Sequence, residues 1–90
     1  MDWQLGTFDK AASVPATLSI AESALLQANF RIFFNAKPGS FVVVGGNDNT
    51  IVNIAVAPNG SETFVAVTAT SVDASAELAR NQVRQFIVNG

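Results

Sequence analysis

Ninety residues, 49% of them hydrophobic and 13% charged, bound the chain to a single domain over 1–90 and exclude a disordered polymer, which carries more charge and less apolar surface. His, Cys and Tyr are absent, which removes imidazole acid–base work, ordinary zinc ligation, thiol nucleophiles, disulfides and iron–sulfur clusters. The net charge of −2 argues against binding a phosphate backbone.

Residues 2–8 alternate Trp3, Leu5 and Thr7 against Gln4, Gly6 and Phe8, the period of a strand. Pro15 suits the first turn of a helix, where its missing N–H costs nothing. Val14, Leu18, Ala21, Leu25 and Ala28 then mark one helical face, predicting a helix over 15–28. Four β-type runs follow, at 29–36, 40–46, 50–57 and 62–70. The turn signals between them are Pro38-Gly39, suited to a type II turn, Asp48-Asn49 and Asn59-Gly60. Ser71 is a candidate N-cap for a last helix over 72–88, whose stripe is Val72, Ala76, Ala79, Val83, Phe86 and Ile87. Asp73 and Glu77 near its start and Arg80 and Arg84 further on follow the order that the helix dipole favours. The first residues lack a secretory pattern, and no apolar run approaches about 18 residues. A soluble, cytoplasmic protein without a membrane partner is the default expectation.

Turn positions predict register, and register decides which side chains share a face. With the three dipeptides at the turn centres, Phe34, Val43, Ile54 and Val65 form one row. Ile32, Gly45, Val52 and Val67 form the next, and Ala36, Phe41, Val56 and Thr63 a third. Turn chemistry and hydrophobic pattern agree on an antiparallel meander. Pro58 cannot donate a hairpin hydrogen bond, so the third loop is expected to open to four residues.

The expected architecture is α+β, in the order β-α-β-β-β-β-α: a five-stranded antiparallel sheet with two helices packed on one face. This order resembles the TATA-binding-protein-like fold, also the minimal core of the helix-grip domains. The resemblance is one of topology over nearly the whole chain, with no family motif. It implies that the first strand lies beside the last, with Trp3 and Leu5 next to residues 64–68.

On the opposite face the same register predicts the rows Phe33–Val44–Asn53–Ala66, Asn35–Val42–Ala55–Phe64 and Arg31–Gly46–Ile51–Thr68. Seven of these twelve are Phe, Val, Ile or Ala, and Arg31 is the one charge. A water-facing strand surface carries more polar residues, so this face is expected to be covered. The candidate interface is Arg31, Phe33, Val42, Val44, Ile51, Asn53 and Phe64, with a homodimer or a protein partner as the cover.

Other constellations have plainer readings. The segment from Gly45 to Thr50 lacks the phosphate-loop pattern and offers one carboxylate, Asp48, so it reads as a turn. Asn59-Gly60-Ser61 matches a glycosylation sequon but also reads as a turn. Glu22 stands near the first helix's stripe as a solvated flank residue, and Arg80 and Arg84 read as exposed. Trp3 and most of the seven Phe residues are expected to fill the core. No catalytic constellation, cofactor or metal site is found, so the expectation is a non-enzymatic interaction module that binds no nucleic acid. A small apolar ligand held between sheet and helices is the alternative.

Overall fold

The computed structural model describes residues 2–35, 37, 39–73 and 75–90. Its elements are β1 (Asp2–Lys10), α1 (Val14–Gln27), β2 (Arg31–Phe34), β3 (Val42–Gly46), β4 (Thr50–Asn59), β5 (Glu62–Ser71) and α2 (Ala76–Asn89). The strands form one antiparallel sheet in the order β1-β5-β4-β3-β2. The expected class and element order hold, and β1 lies beside β5 as the topology implied.

Local chemistry explains both ends of α1. Ser13 Oγ accepts from the Ala16 N–H at 3.3 Å, and Pro15 occupies the first turn. At the other end Asn29 takes φ +65°, its N–H bonds the Leu26 carbonyl at 3.0 Å, and the Phe30 N–H bonds the Leu25 carbonyl at 3.0 Å. This is a Schellman closure with Asn in the left-handed position. α2 begins at Ala76, not at the expected residue 72, and Ser75 rather than Ser71 holds the cap position. β5 continues through Ser71, which is paired with Asp2 on one side and Thr50 on the other. A residue with a strand on each side does not leave the sheet to start a helix. At its far end α2 is tied to β1, where Lys10 Nζ donates to the main-chain oxygens of Val88 at 3.1 Å and Gly90 at 2.7 Å.

Each hairpin tested the register differently. Between β3 and β4, Val43 opposes Ile54 as expected. Asn47 Oδ1 closes that turn by accepting from the N–H groups of Asn49 at 2.8 Å and Thr50 at 2.9 Å. Between β4 and β5 the loop stays tight, and its centre is Gly60-Ser61, so Ile54 opposes Val67 and Val56 opposes Val65. Gly60 supplies φ +63° at the first central position. Pro58 then sits one pair in from the loop, opposite Thr63, where an antiparallel pair exchanges no hydrogen bonds. Its missing N–H therefore forces no wider loop. The shift is by two residues, so every side chain keeps its face.

The third departure changes a face. β2 pairs with β3 through Arg31–Gly46 and Ile32–Gly45, and the register then shifts so that Phe34 opposes Val44. Phe33 is the extra residue of a bulge, and Phe34 moves from the expected core row to the other side of the sheet. Gly39, with φ +85°, and the hydrogen bond from Ser40 N–H to the Lys37 carbonyl at 2.8 Å fit the expected turn. Its Pro38, and the Ala36 of the predicted core row, lie outside the described residues.

The core lies between the helices and one sheet face. Leu25, Val43, Val52, Ile54, Val65, Val67, Val83 and Ile87 are all fully buried there. The total accessible surface is 4943 Å², close to the roughly 5,000 Å² expected for a folded chain of this mass. α1 approaches the sheet over Gly45. A Cβ there would meet the Arg31 carbonyl oxygen at 2.6 Å and Leu25 Cδ1 at 2.9 Å. Gly45→Ala is therefore expected to destabilise the fold by about 2–3 kcal/mol in urea titrations; an unchanged midpoint would show that α1 can move away. Thr17 on α1 is fully buried, and its Oγ1 has no hydrogen-bond partner. Thr17→Val removes that unpaired hydroxyl and is expected to raise stability by about 1 kcal/mol by the same measurement.

Candidate functional site

The sheet face turned away from the helices is built by alternation along all five strands. In the observed register its rows are Arg31–Gly46–Ile51–Thr70–Trp3, Phe34–Val44–Asn53–Thr68–Leu5 and Val42–Ala55–Ala66–Thr7. A shorter row, Ala57–Phe64–Asp9, runs at the hairpin end. All seven candidate interface residues lie on this side of the sheet. Phe33 joins them at the bulge, where its ring lies 5.7 Å from the Arg31 guanidinium carbon.

The face is apolar and open to solvent. Relative exposures are 64% for Trp3, 53% for Ile51, 51% for Phe33, 48% for Phe34 and 40% for Phe64. Most of the aromatics therefore do not fill the core. Phe30 is buried in it and Phe8 and Phe86 pack against it, while Trp3, Phe33, Phe34, Phe41 and Phe64 are exposed. An aromatic on a strand goes where its parity sends it, and four of these five belong to the open face. Phe41 is different: its carbonyl accepts from the Val56 N–H at 2.9 Å at the helix-side rim.

Charge on the open face is confined to its margin. Among the described strand residues facing this way, the charged ones are Arg31 on β2, Asp9 on β1 and Glu62 at the β4–β5 loop. Arg31 Nη2 donates to Asp48 Oδ1 at 3.1 Å. Both side chains are well exposed, so the pair orients the guanidinium more than it stabilises the fold. Asp9 Oδ1 accepts from Asn59 Nδ2 at 3.1 Å. The uncharged polar residues inside the face are Asn53, between Val44 and Thr68, and the threonines Thr68 and Thr70 of β5.

Sequence reasoning named the middle of this face and missed part of its two margins. Trp3 is expected in the core and is instead exposed on this face, and Leu5 is given no side, although their alternation is visible. The pairs Leu5–Thr68 and Trp3–Thr70 put them in line with Asn53 and Ile51. Phe34 was assigned to the core because a bulge without a glycine leaves no mark in the sequence.

Other features are placed as follows. Arg80 and Arg84 are half-buried against β1. Arg80 Nη1 donates to Gln4 Oε1 and the Leu5 carbonyl, both at 3.3 Å, and Arg84 lies 5.3 Å from the Phe8 ring centre. Both guanidiniums thus serve to seat α2 on the edge strand, not the exposed role expected of them. Glu22 borders an open groove of about 570 Å³ between α1 and the β2–β3 loop, lined by Val14, Pro15, Leu18, Phe41 and Pro58 among others. This groove lies at the helix-side rim, outside the filled layer between sheet and helices. Asn59, Gly60 and Ser61 are exposed and form the β4–β5 turn. Among the described residues no helix is long and apolar enough to cross a membrane.

The one polar cluster at the junction of β5 and α2 joins Thr50, Ser71, Asp73 and Ser75. Asp73 Oδ1 accepts from Ser71 Oγ at 2.6 Å, from the Ser75 N–H at 2.9 Å and from Ser75 Oγ. Ser75 Oγ also lies 2.9 Å from Ser71 Oγ and 3.2 Å from Thr50 Oγ1. The hydrogen bond from Ser71, then those from Ser75, hold the Asp73 carboxyl below its ordinary value. The cluster fixes the turn into α2.

No family model matches the chain, and no curated protein resembles it significantly.

Because the folded state lowers the Asp73 pKa, its contribution is present above the unfolded value of about 3.9 and is lost as pH falls through the lower folded value. Asp73→Asn is expected to lower stability at neutral pH and to flatten the acid limb of the stability–pH curve. Melting curves taken from neutral pH into the carboxylate range check this; parallel curves for the two proteins would remove Asp73 from the account.

Proposed function

We propose that this chain is a non-enzymatic interaction module that associates, with itself or with another protein, through the open sheet face. The observation that carries the reading is the set of exposed apolar side chains on this face, Trp3 and Leu5 on β1, Phe64 on β5, Ile51 on β4 and Phe33 and Phe34 on β2, interspersed with Thr68, Thr70 and Asn53 and with charge only at its margin. Association interfaces have this anatomy: an apolar, aromatic centre and a polar rim. Arg31 and Asn53 give orientation, and Val42, Val44, Ile51 and Phe64 give contact area.

The element and strand order resemble the TATA-binding-protein-like and minimal helix-grip topology, which supports reading the sheet face as the working surface. In the TATA-binding relatives that surface meets nucleic acid. Here it carries Arg31 and no lysine, which suits an apolar protein surface better than phosphates. The groove beside α1, at about 570 Å³, exceeds the roughly 300 Å³ at which ligand sites begin. It supports a second reading as a site for a small apolar molecule, detected as a retained mass in native mass spectrometry.

Phe64→Asp is expected to abolish association, read by sedimentation velocity in the micromolar range, because an unpaired carboxylate on the buried face is costly. The far-UV circular dichroism should not change, since Phe64 is outside the core. Association that survives this substitution overturns the reading.

A further inference from the structure

We propose that the free edge of β1 takes, as an added strand, an extended segment of another protein in which acidic residues alternate with apolar ones. This surface is the rim of the sheet and is distinct from its open face.

Hydrogen-bond parity defines the edge. Pro58 and Thr63 form a pair that exchanges no hydrogen bonds, so the main-chain N–H and C=O of Thr63 are turned to β1, and those of Val65, Val67, Ala69 and Ser71 follow by alternation. Their partners on β1 are Lys10, Phe8, Gly6, Gln4 and Asp2. The N–H and C=O groups of Trp3, Leu5, Thr7 and Asp9 therefore point the other way, and β1 is the last strand on that side. The hydrogen bond that the Leu5 carbonyl accepts from Arg80 Nη1 at 3.3 Å agrees with this parity.

The two edges of the sheet are unequal. β2 has four residues and a bulge, and short or bulged edge strands are poor templates for a further strand. β1 has nine residues in unbroken register and no proline. A long, regular edge of this kind is what main-chain recognition by strand addition requires.

Charge names the occupant. The stems of Arg80 and Arg84 both lie over Gly6, where a Cβ would meet Arg80 Cδ at 3.2 Å and Arg84 Cδ at 3.6 Å. Arg80 donates to neutral oxygens, those of Asn81, Gln4 and Leu5, and Arg84 lies against the Phe8 ring. The one ion pair among the described residues is Arg31–Asp48, so neither of these guanidiniums holds a carboxylate. On a strand added beside β1, the side chains opposite Gln4, Gly6 and Phe8 fall on the helix side, next to the two cations. Those opposite Trp3, Leu5 and Thr7 fall on the open side, beside the exposed Trp3 and Leu5. Acidic residues suit the first set, because a guanidinium binds a carboxylate more strongly than a neutral oxygen. Apolar residues suit the second, and by parity they also make the main-chain bonds to β1. A second copy of this chain fits less well. Full antiparallel overlap of β1 with its mate centres on Gly6 and brings four guanidiniums to one seam, where like charges repel.

The probe is an end-blocked peptide of alternating valine and glutamate, as long as β1. Trp3, the chain's single tryptophan, reports binding by its fluorescence from the strand itself. Binding is expected, at least about tenfold tighter than that of the valine–lysine counterpart, with most of the difference lost in the double variant Arg80→Gln, Arg84→Gln. Methylation of the valine nitrogens is expected to abolish binding and methylation of the glutamate nitrogens to leave it, because parity turns the first set to β1. Thr7→Pro removes an outward N–H, which an edge strand tolerates, and should lose binding with circular dichroism unchanged. If that variant does not fold, the two methylated peptides decide the matter on the unaltered protein. No binding up to millimolar peptide, equal affinity for the two charges, or indifference to which nitrogens are methylated overturns the proposal. A dimer of the peptide-free protein that Thr7→Pro dissolves assigns the edge to a second copy and overturns it as well.

Discussion

The pairing of β4 with β5 over ten residues each is the interaction on which the rest of the structure depends. These two strands occupy the middle of the sheet, and their register assigns sides to everything else. Val52, Ile54 and Val56 of β4 and Val65, Val67 and Ala69 of β5 go to the helices and are buried. Ile51, Asn53, Phe64 and Thr68 go to the other side by the same alternation. No helix is available for that second side, because α1 and α2 both pack on the first. The second face keeps Trp3, Leu5, Ile51 and Phe64 exposed with no helix over them, and the proposed function is built on that asymmetry.

The extent to which this was legible in the sequence depended on the kind of signal. Parity is robust: the β4–β5 loop centre moved by one residue, the register moved by two, and Ile54 and Val65 stayed on the helix side. Turn chemistry was readable where a side chain closes the turn itself, as Asn47 does. Two features were not readable. The bulge at Phe33 inserts a residue between Ile32 and Phe34 without any special backbone requirement. Its only effect is on the neighbour that changes sides. The start of α2 was hidden because a serine before a periodic run serves equally as a cap or as the end of a strand. Ser71 does the second, and the cap position passed to Ser75.

The candidate face shows the same division. Its centre followed from the meander, whose turns are local. Its β1 margin depended on a non-local pairing, because nothing near Trp3 or Leu5 in the sequence records which side Thr68 and Thr70 face. The aromatic residues were assigned to the core on chemical character alone, and that prior failed because a sheet covered on one side sends every second residue outward. Small residues do a different job in the same face. Gly46, Ala55 and Ala66 keep the middle of the surface low, so that the larger side chains around them define its relief.

The place of β1 at the edge of the sheet governs the order of assembly. Each of its residues finds its partner on β5 more than half the chain away, and the meander between them closes through short local turns. Distant contacts form slowly because a long loop must be closed first. The meander can therefore collapse early, with Trp3 and Leu5 still trailing on an unpaired strand. Docking of α2 through Lys10 and Arg80 then latches the late-joining strand in place.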